Sequence, residues 1–175
     1  MIVLGKHNKR TSIFNLYRPC KGKICDVGAF KVIKQKWLIM QKDNIHDHPR
    51  EAVITDIIKA INNKLAKGHE IIVCLDSNEA FTSGKSGIAK LCKDCKLYDP
   101  LEHRHRSIGL NITYQRGSTQ MCFIFCTFNT LISLTRSGMT AFGDIITSDH
   151  KGLFIDMKDE TFLTSNIIAI PPPLI

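Results

Sequence analysis

Three short polar groups hold the residue types that phosphate-ester chemistry requires. Asp76-Ser77-Asn78-Glu79 follows directly on an apolar run. A carboxylate fixed there can hold a divalent metal or activate water, and an amide two residues on can donate to a phosphate oxygen. Ser148-Asp149-His150 sets a hard oxygen ligand beside an imidazole able to act as acid, base or electrostatic clamp. Asn15-Leu16-Tyr17-Arg18-Pro19 brings a phenol and a guanidinium together. Together these groups suit metal-assisted cleavage of a phosphate ester. Each also has a plainer reading, because Asp-x-Asn is common in turns and Ser-Asp-His reads equally well as a solvated loop.

The elements that must position them alternate between strand and helix. Residues 12–17 (Ser-Ile-Phe-Asn-Leu-Tyr) alternate polar and apolar, and Arg18-Pro19 stops them, as in a strand feeding a loop. A helix is predicted from Pro49, with Glu51 at its positive end. Its apolar face is Val53, Ile57, Ile61 and Leu65, with Ile54 and Ile58 beside them, and Gly68 is placed to end it. Residues 70–75 (Glu-Ile-Ile-Val-Cys-Leu) read as a strand buried on both faces. Ser86 is expected to cap a short helix that turns Ile88, Leu91 and Cys92 inward. Residues 111–114 and 120–127 read as two strands of a hairpin around Arg116-Gly117-Ser118, and residues 152–157 as a last strand. The three polar groups therefore fall in loops at strand ends, where open α/β sheets place ligands.

The chain has 175 residues, with 24 Lys and Arg against 16 Asp and Glu, a formal net charge of +8. Hydrophobic residues at 43% and charged residues at 23% exclude a wholly disordered or fibrous chain. No apolar run reaches the roughly 18 residues that span a bilayer. No basic-then-apolar leader is legible, because Lys6, His7, Lys9 and Arg10 interrupt the start. The expectation is one intracellular domain over residues 1–160, nuclear or cytoplasmic, with no membrane partner. A Pro-rich extended tail over 161–175 contains Pro171-Pro172-Pro173. The positive charge favours an anionic partner, nucleic acid first.

Order and spacing tie the groups together. Leu-Tyr-Arg-Pro, then a helix, then Ile-Ile-Val-Cys-Leu-Asp-Ser-Asn, then Thr113-Tyr114, then Ser-Asp-His-Lys-Gly-Leu-Phe resembles the endonuclease/exonuclease/phosphatase (DNase I-like) superfamily over about residues 12–157. The nearest flavour is the endonuclease domain of non-LTR retrotransposons. The resemblance implies an α/β fold, a sandwich of two mixed β-sheets flanked by helices, and a metal-dependent phosphodiesterase or endonuclease acting on DNA or another phosphate ester. It implies that Tyr17 contacts the scissile phosphate, that Asp76 positions or deprotonates the attacking water, and that Asn78 orients both. It also implies that His150 stabilises charge on phosphorus, and that Asp149 with Asp76 holds Mg²⁺ or Mn²⁺.

Two departures qualify that expectation. The family's early Asn and its metal-binding Glu precede the Tyr-Arg-Pro strand and have no counterpart here, so the resemblance implies an N-terminally truncated copy; a partner chain could supply the missing part. Glu79 and Glu51 do not stand where that Glu would. Cys122 occupies the place of the Asp that holds the catalytic histidine, and a thiol cannot supply its carboxylate. The expectation is impaired catalysis, with a non-catalytic nucleic-acid-binding remnant as the alternative and a phosphatase-like member acting on a small molecule as a third reading. Among other motifs, Cys92-x-x-Cys95 with His103 and His105 allows a zinc reading, though His-x-His fits no shared face. Trp37, among lysines, is a stacking platform or a structural anchor.

Overall fold

The computed structural model describes residues 1–6, 9–21, 30–43, 48–81, 86–106, 112–144 and 147–158. The expected tail at 161–175 lies outside the described residues. Four strands form one mixed sheet in chain order: β1 (Ile2–Lys6), β2 (Lys9–Tyr17), β3 (His69–Asp76) and β4 (Cys122–Cys126). β1 and β2 are antiparallel, β2 and β3 parallel, and β3 and β4 antiparallel. The parallel step needs a crossover, made by α1 (Phe30–Lys42) and α2 (Pro49–Leu65). α3 (Gly87–Cys95), α4 (Pro100–His105) and α5 (Phe128–Ser133) follow, and β5 (Leu134–Met139) pairs antiparallel with β6 (Leu153–Met157) in a second, two-stranded sheet.

Strand alternation divides the core in two. One face of the large sheet turns Phe14, Ile71, Val73, Leu75, Phe123 and Phe125 toward Ile57 and Ile61 of α2 and Ile88, Leu91 and Cys95 of α3. The other face turns Ile13, Ile72, Cys74, Ile124 and Cys126 toward Leu131, Leu134, Leu153, Ile155 and Met157, which belong to α5 and the small sheet. Ile61, Ile71, Val73, Ile88, Leu91 and Phe125 are fully buried. Each such side chain contributes about 1.5–3 kcal/mol of burial.

Local signals place several elements as expected. The α2 helix opens with His48 as its cap, the imidazole Nδ1 accepting the Arg50 N–H at 3.2 Å. Gly68 follows its end in a left-handed conformation, φ 73°. The Ser86 hydroxyl accepts the Ala89 N–H and caps α3.

Other elements differ from expectation. β1, α1, α4, α5 and β5 were not anticipated. In α1 the fully buried Ile33 and Met40 lie at i and i+7 on one face, with half-buried Trp37 between them. The hairpin expected around Gly117 does not form. Gly117 does close a turn on the Tyr114 carbonyl, but Tyr114 pairs antiparallel with His150, while β4 pairs with β3. A glycine turn specifies that the chain reverses, and the partner is then chosen by which edge is open.

Candidate active site

Tyr17, Asp76 and Cys122 occupy one row across three neighbouring strands. Tyr17 is registered with Asp76 in the parallel pair, and Asp76 with Cys122 in the antiparallel pair. Each continues the alternation that points Ile13, Ile72, Cys74, Ile124 and Cys126 at the small sheet. The row thus lies at one end of the seam between the two sheets, where β2 and β3 finish.

The segment before β6 completes the cluster. Gln115 N–H donates to the Asp149 carbonyl and Lys151 N–H to the Thr113 carbonyl, which frames the Tyr114–His150 bridge. The two rings lie 5.0 Å apart. Fully buried Thr113 ties this strap to the large sheet, its hydroxyl accepting the N–H groups of Met121 and Cys122 at 2.8 and 2.9 Å. His150 N–H donates to Ser148 Oγ at 3.0 Å. Its ring then reaches the row: Nδ1 lies 3.1 Å from Cys122 Sγ, and Nε2 lies 4.0 Å from Asp149 Oδ1.

Electrostatics keeps the Cys122–His150 contact neutral on the sulfur side. Burial first, and then the Asp76 charge, pushes the Cys122 thiol up to about 11, against a smaller downward pull from the Thr113 hydrogen bond. At neutral pH the sulfur is a thiol, so it cannot stabilise an imidazolium as a carboxylate would. Burial and the neighbouring Cys20, 3.7 Å from its oxygen, push the Tyr17 phenol up to about 12, with the Asp76 charge adding to this and a hydrogen bond from Asn78 opposing it.

Asn78 sits in the left-handed region, φ 47°, which Asn tolerates. Its amide donates to the Arg18 carbonyl at 2.8 Å, and its N–H donates to Asp76 Oδ1 at 3.3 Å. Arg18, expected beside the phenol, turns to the opposite side and is fully buried. It pairs with Glu79 and with Glu51, the latter at 2.9 Å, and burial lowers it to about 10. Arg50 donates to the Pro19 and Asn78 carbonyls, so two arginines clasp the loops after β2 and β3. Glu79 and Glu51 are occupied there. This clasp was the main feature that motif reading missed. Its legible signal was two arginines and two glutamates close in sequence to strand ends.

Among the described residues, one set of three potential ligands, Asp76, Cys122 and His150, has donor atoms all within 4.8 Å of one another. Asp149 is outside that set. The motif resemblance implies a divalent metal such as magnesium, which asks for oxygen ligands in near-octahedral geometry. A thiol, an imidazole and one carboxylate do not fit that demand. The Cys92, Cys95, His103 and His105 reading does not gather either. Cys95 is buried in the core, while His105 Nε2 lies 2.9 Å from the Ser137 carbonyl.

No protein-family model and no curated protein matches the chain. Solved structures do. The 3′ phosphatase NExo from Neisseria, bound to a product DNA hairpin, matches with a TM-score of 0.55 and 13% identity over 86% of this chain and 62% of that one. The 3′-5′ exonuclease NExo from Neisseria meningitidis matches at 0.55 and 12% over 86% and 61%. The APE2 catalytic domain of Xenopus laevis, at 0.46 and 12% over 61% and 43%, is too distant to weigh. The chain thus spans about three fifths of the length of the first two structures, and at these identities the likeness shows the fold. With two sheets flanked by helices and the strand-end loops on the seam between them, the chain has a DNase I-like fold.

Proposed function

We propose that this chain is a nuclease-like domain that holds a nucleic-acid backbone at the seam and cleaves phosphodiesters slowly or not at all. The observation that carries this reading is the neutral thiol of Cys122, 3.1 Å from His150 Nδ1. A histidine that must carry charge in a phosphoryl transition state needs an anionic or firmly accepting partner on its second nitrogen. In this reading Tyr17 contacts the phosphate, Asp76 accepts a proton from the attacking water, Asn78 holds Asp76, and His150 faces the developing charge. The expected Mg²⁺ or Mn²⁺ is supported only by the carboxylates of Asp76 and Asp149. Support for a nucleic-acid ligand comes from the +8 charge and from a structural neighbour that was captured with a DNA hairpin. A retroelement origin would account for the motif order.

Relaxation of supercoiled plasmid, with Mg²⁺ or Mn²⁺ and with chelator, tests the catalytic half. Little or no nicking by the wild-type chain is expected. Robust metal-dependent nicking that disappears in His150→Ala would overturn the impairment. Binding to a DNA duplex should weaken steeply with salt, as phosphate contacts require. Salt-independent binding, or none, would remove nucleic acid as the ligand.

A further inference from the structure

We infer that Asp76, Cys122 and His150 form a binding site for a thiophilic divalent cation of the Zn²⁺ class. Nothing in this inference depends on the chain cleaving or binding nucleic acid.

The three side chains come from separate parts of the chain and converge through the backbone. β3 and β4 register Asp76 opposite Cys122, and the Tyr114–His150 bridge brings the imidazole over the row. Thr113, bonded to the N–H groups of Met121 and Cys122, holds the strap and the strand at one spacing. Their donor atoms lie within 4.8 Å of one another. In a tetrahedral zinc site the Zn–S and Zn–N bonds, about 2.3 and 2.0 Å, place sulfur and nitrogen about 3.5 Å apart. The observed separation of 3.1 Å requires a small opening of the pair.

Donor chemistry selects the metal. As the metal–sulfur bond forms, the Cys122 thiol gives its proton to solvent. The resulting thiolate, with an imidazole and a single carboxylate, matches zinc or another late transition metal, whereas magnesium and calcium need oxygen ligands. Three protein ligands leave one position open to water or to a phosphate oxygen. All three residues are half-buried rather than sealed, so an ion has a path in. Asp149, 4.0 Å from His150 Nε2, is within a small rotation of accepting the second N–H of the ring. Carboxylates in that position commonly orient a metal-bound histidine. The same substitution that removes a carboxylate from His150 thus supplies the soft ligand.

Titration of the full chain with Co²⁺, under a non-thiol reductant, tests the site by spectroscopy without any activity. The expected result is one Co²⁺ per chain, with a near-ultraviolet thiolate-to-cobalt band and visible bands of tetrahedral type. Zn²⁺ should displace it, and a large excess of Mg²⁺ should not. Cys122→Ser should abolish the thiolate band, and His150→Gln should weaken binding by more than the roughly 10–100-fold typical of losing an outer partner. Asp76→Asn should weaken binding but keep the band. Circular dichroism of each variant establishes that it is folded. A folded wild-type chain with no thiolate band, a band that survives Cys122→Ser, or displacement by Mg²⁺ would each overturn the site. A failed plasmid assay would leave these spectra untouched, so the two readings fail separately.

Discussion

Two clusters built from the same two motifs lie on opposite sides of the same strand ends, and they have opposite characters. Tyr17 and Asp76 face the seam, while the adjacent Arg18 and the nearby Glu79 face inward and close a clasp with Arg50 and Glu51. In the clasp every guanidinium meets a carboxylate or a carbonyl, and the buried charge is satisfied. On the seam the partners are mismatched: a neutral thiol faces an imidazole, and a carboxylate stands beside the thiol. Strand alternation separates them, since successive residues point to opposite faces. One half of each motif can therefore serve stability while the other half is left with unspent ligand capacity.

The comparison breaks most visibly at Arg18. Arg18→Ala should destabilise the chain by about 3–5 kcal/mol, because it removes a fully buried side chain and leaves Glu79 with Arg50 alone, 4.0 Å away. Denaturant unfolding would read this, and a loss below about 1 kcal/mol would mean that the clasp is dispensable. The seam should respond in activity instead. Cys122→Asp places a carboxylate beside His150 Nδ1 and should raise metal-dependent plasmid nicking about 10–100-fold, the usual weight of such an orienting group. Unchanged nicking from a folded variant would mean that Cys122 is not what limits the site.

Gly87→Ala probes the tightness of the clasp. A Cβ at Gly87 would stand 2.7 Å from Arg18 Nη2, so an overpacking cost of about 1–3 kcal/mol is expected, read as a lower denaturation midpoint. The smallest effect belongs to the residue shared by both clusters. Asn78→Gly keeps the left-handed backbone and the carbonyl that Arg50 uses, so stability should fall by no more than about 1 kcal/mol. Thermal melting that drops as far as in Arg18→Ala would show that the Asn78 amide belongs to the clasp.

Much of this was legible in residue order. The α2 periodicity with Pro49 and Gly68, the Ser86 cap and the apolar β3 run depend on neighbours within a few residues, where backbone geometry and burial act directly. The ordered strand-end motifs pointed to the right fold and gathered Tyr17, Asp76, Asn78 and His150 near one end of the sheet. α1 carried a readable face in Ile33, Trp37 and Met40, but its lysines made the segment look like a basic surface.

What residue order alone determined was which stretches extend, which coil, and which polar types finish each strand. Only the tertiary structure decided who meets whom. Cys122 and His150 are 28 positions apart, as are Arg50 and Asn78, and Tyr114 could have paired with β4 as readily as with the strap before β6. Those choices rest on register and open sheet edges, long-range terms that no local pattern encodes. They turned Arg18 into the core and set a thiol, a carboxylate and an imidazole within 4.8 Å of one another.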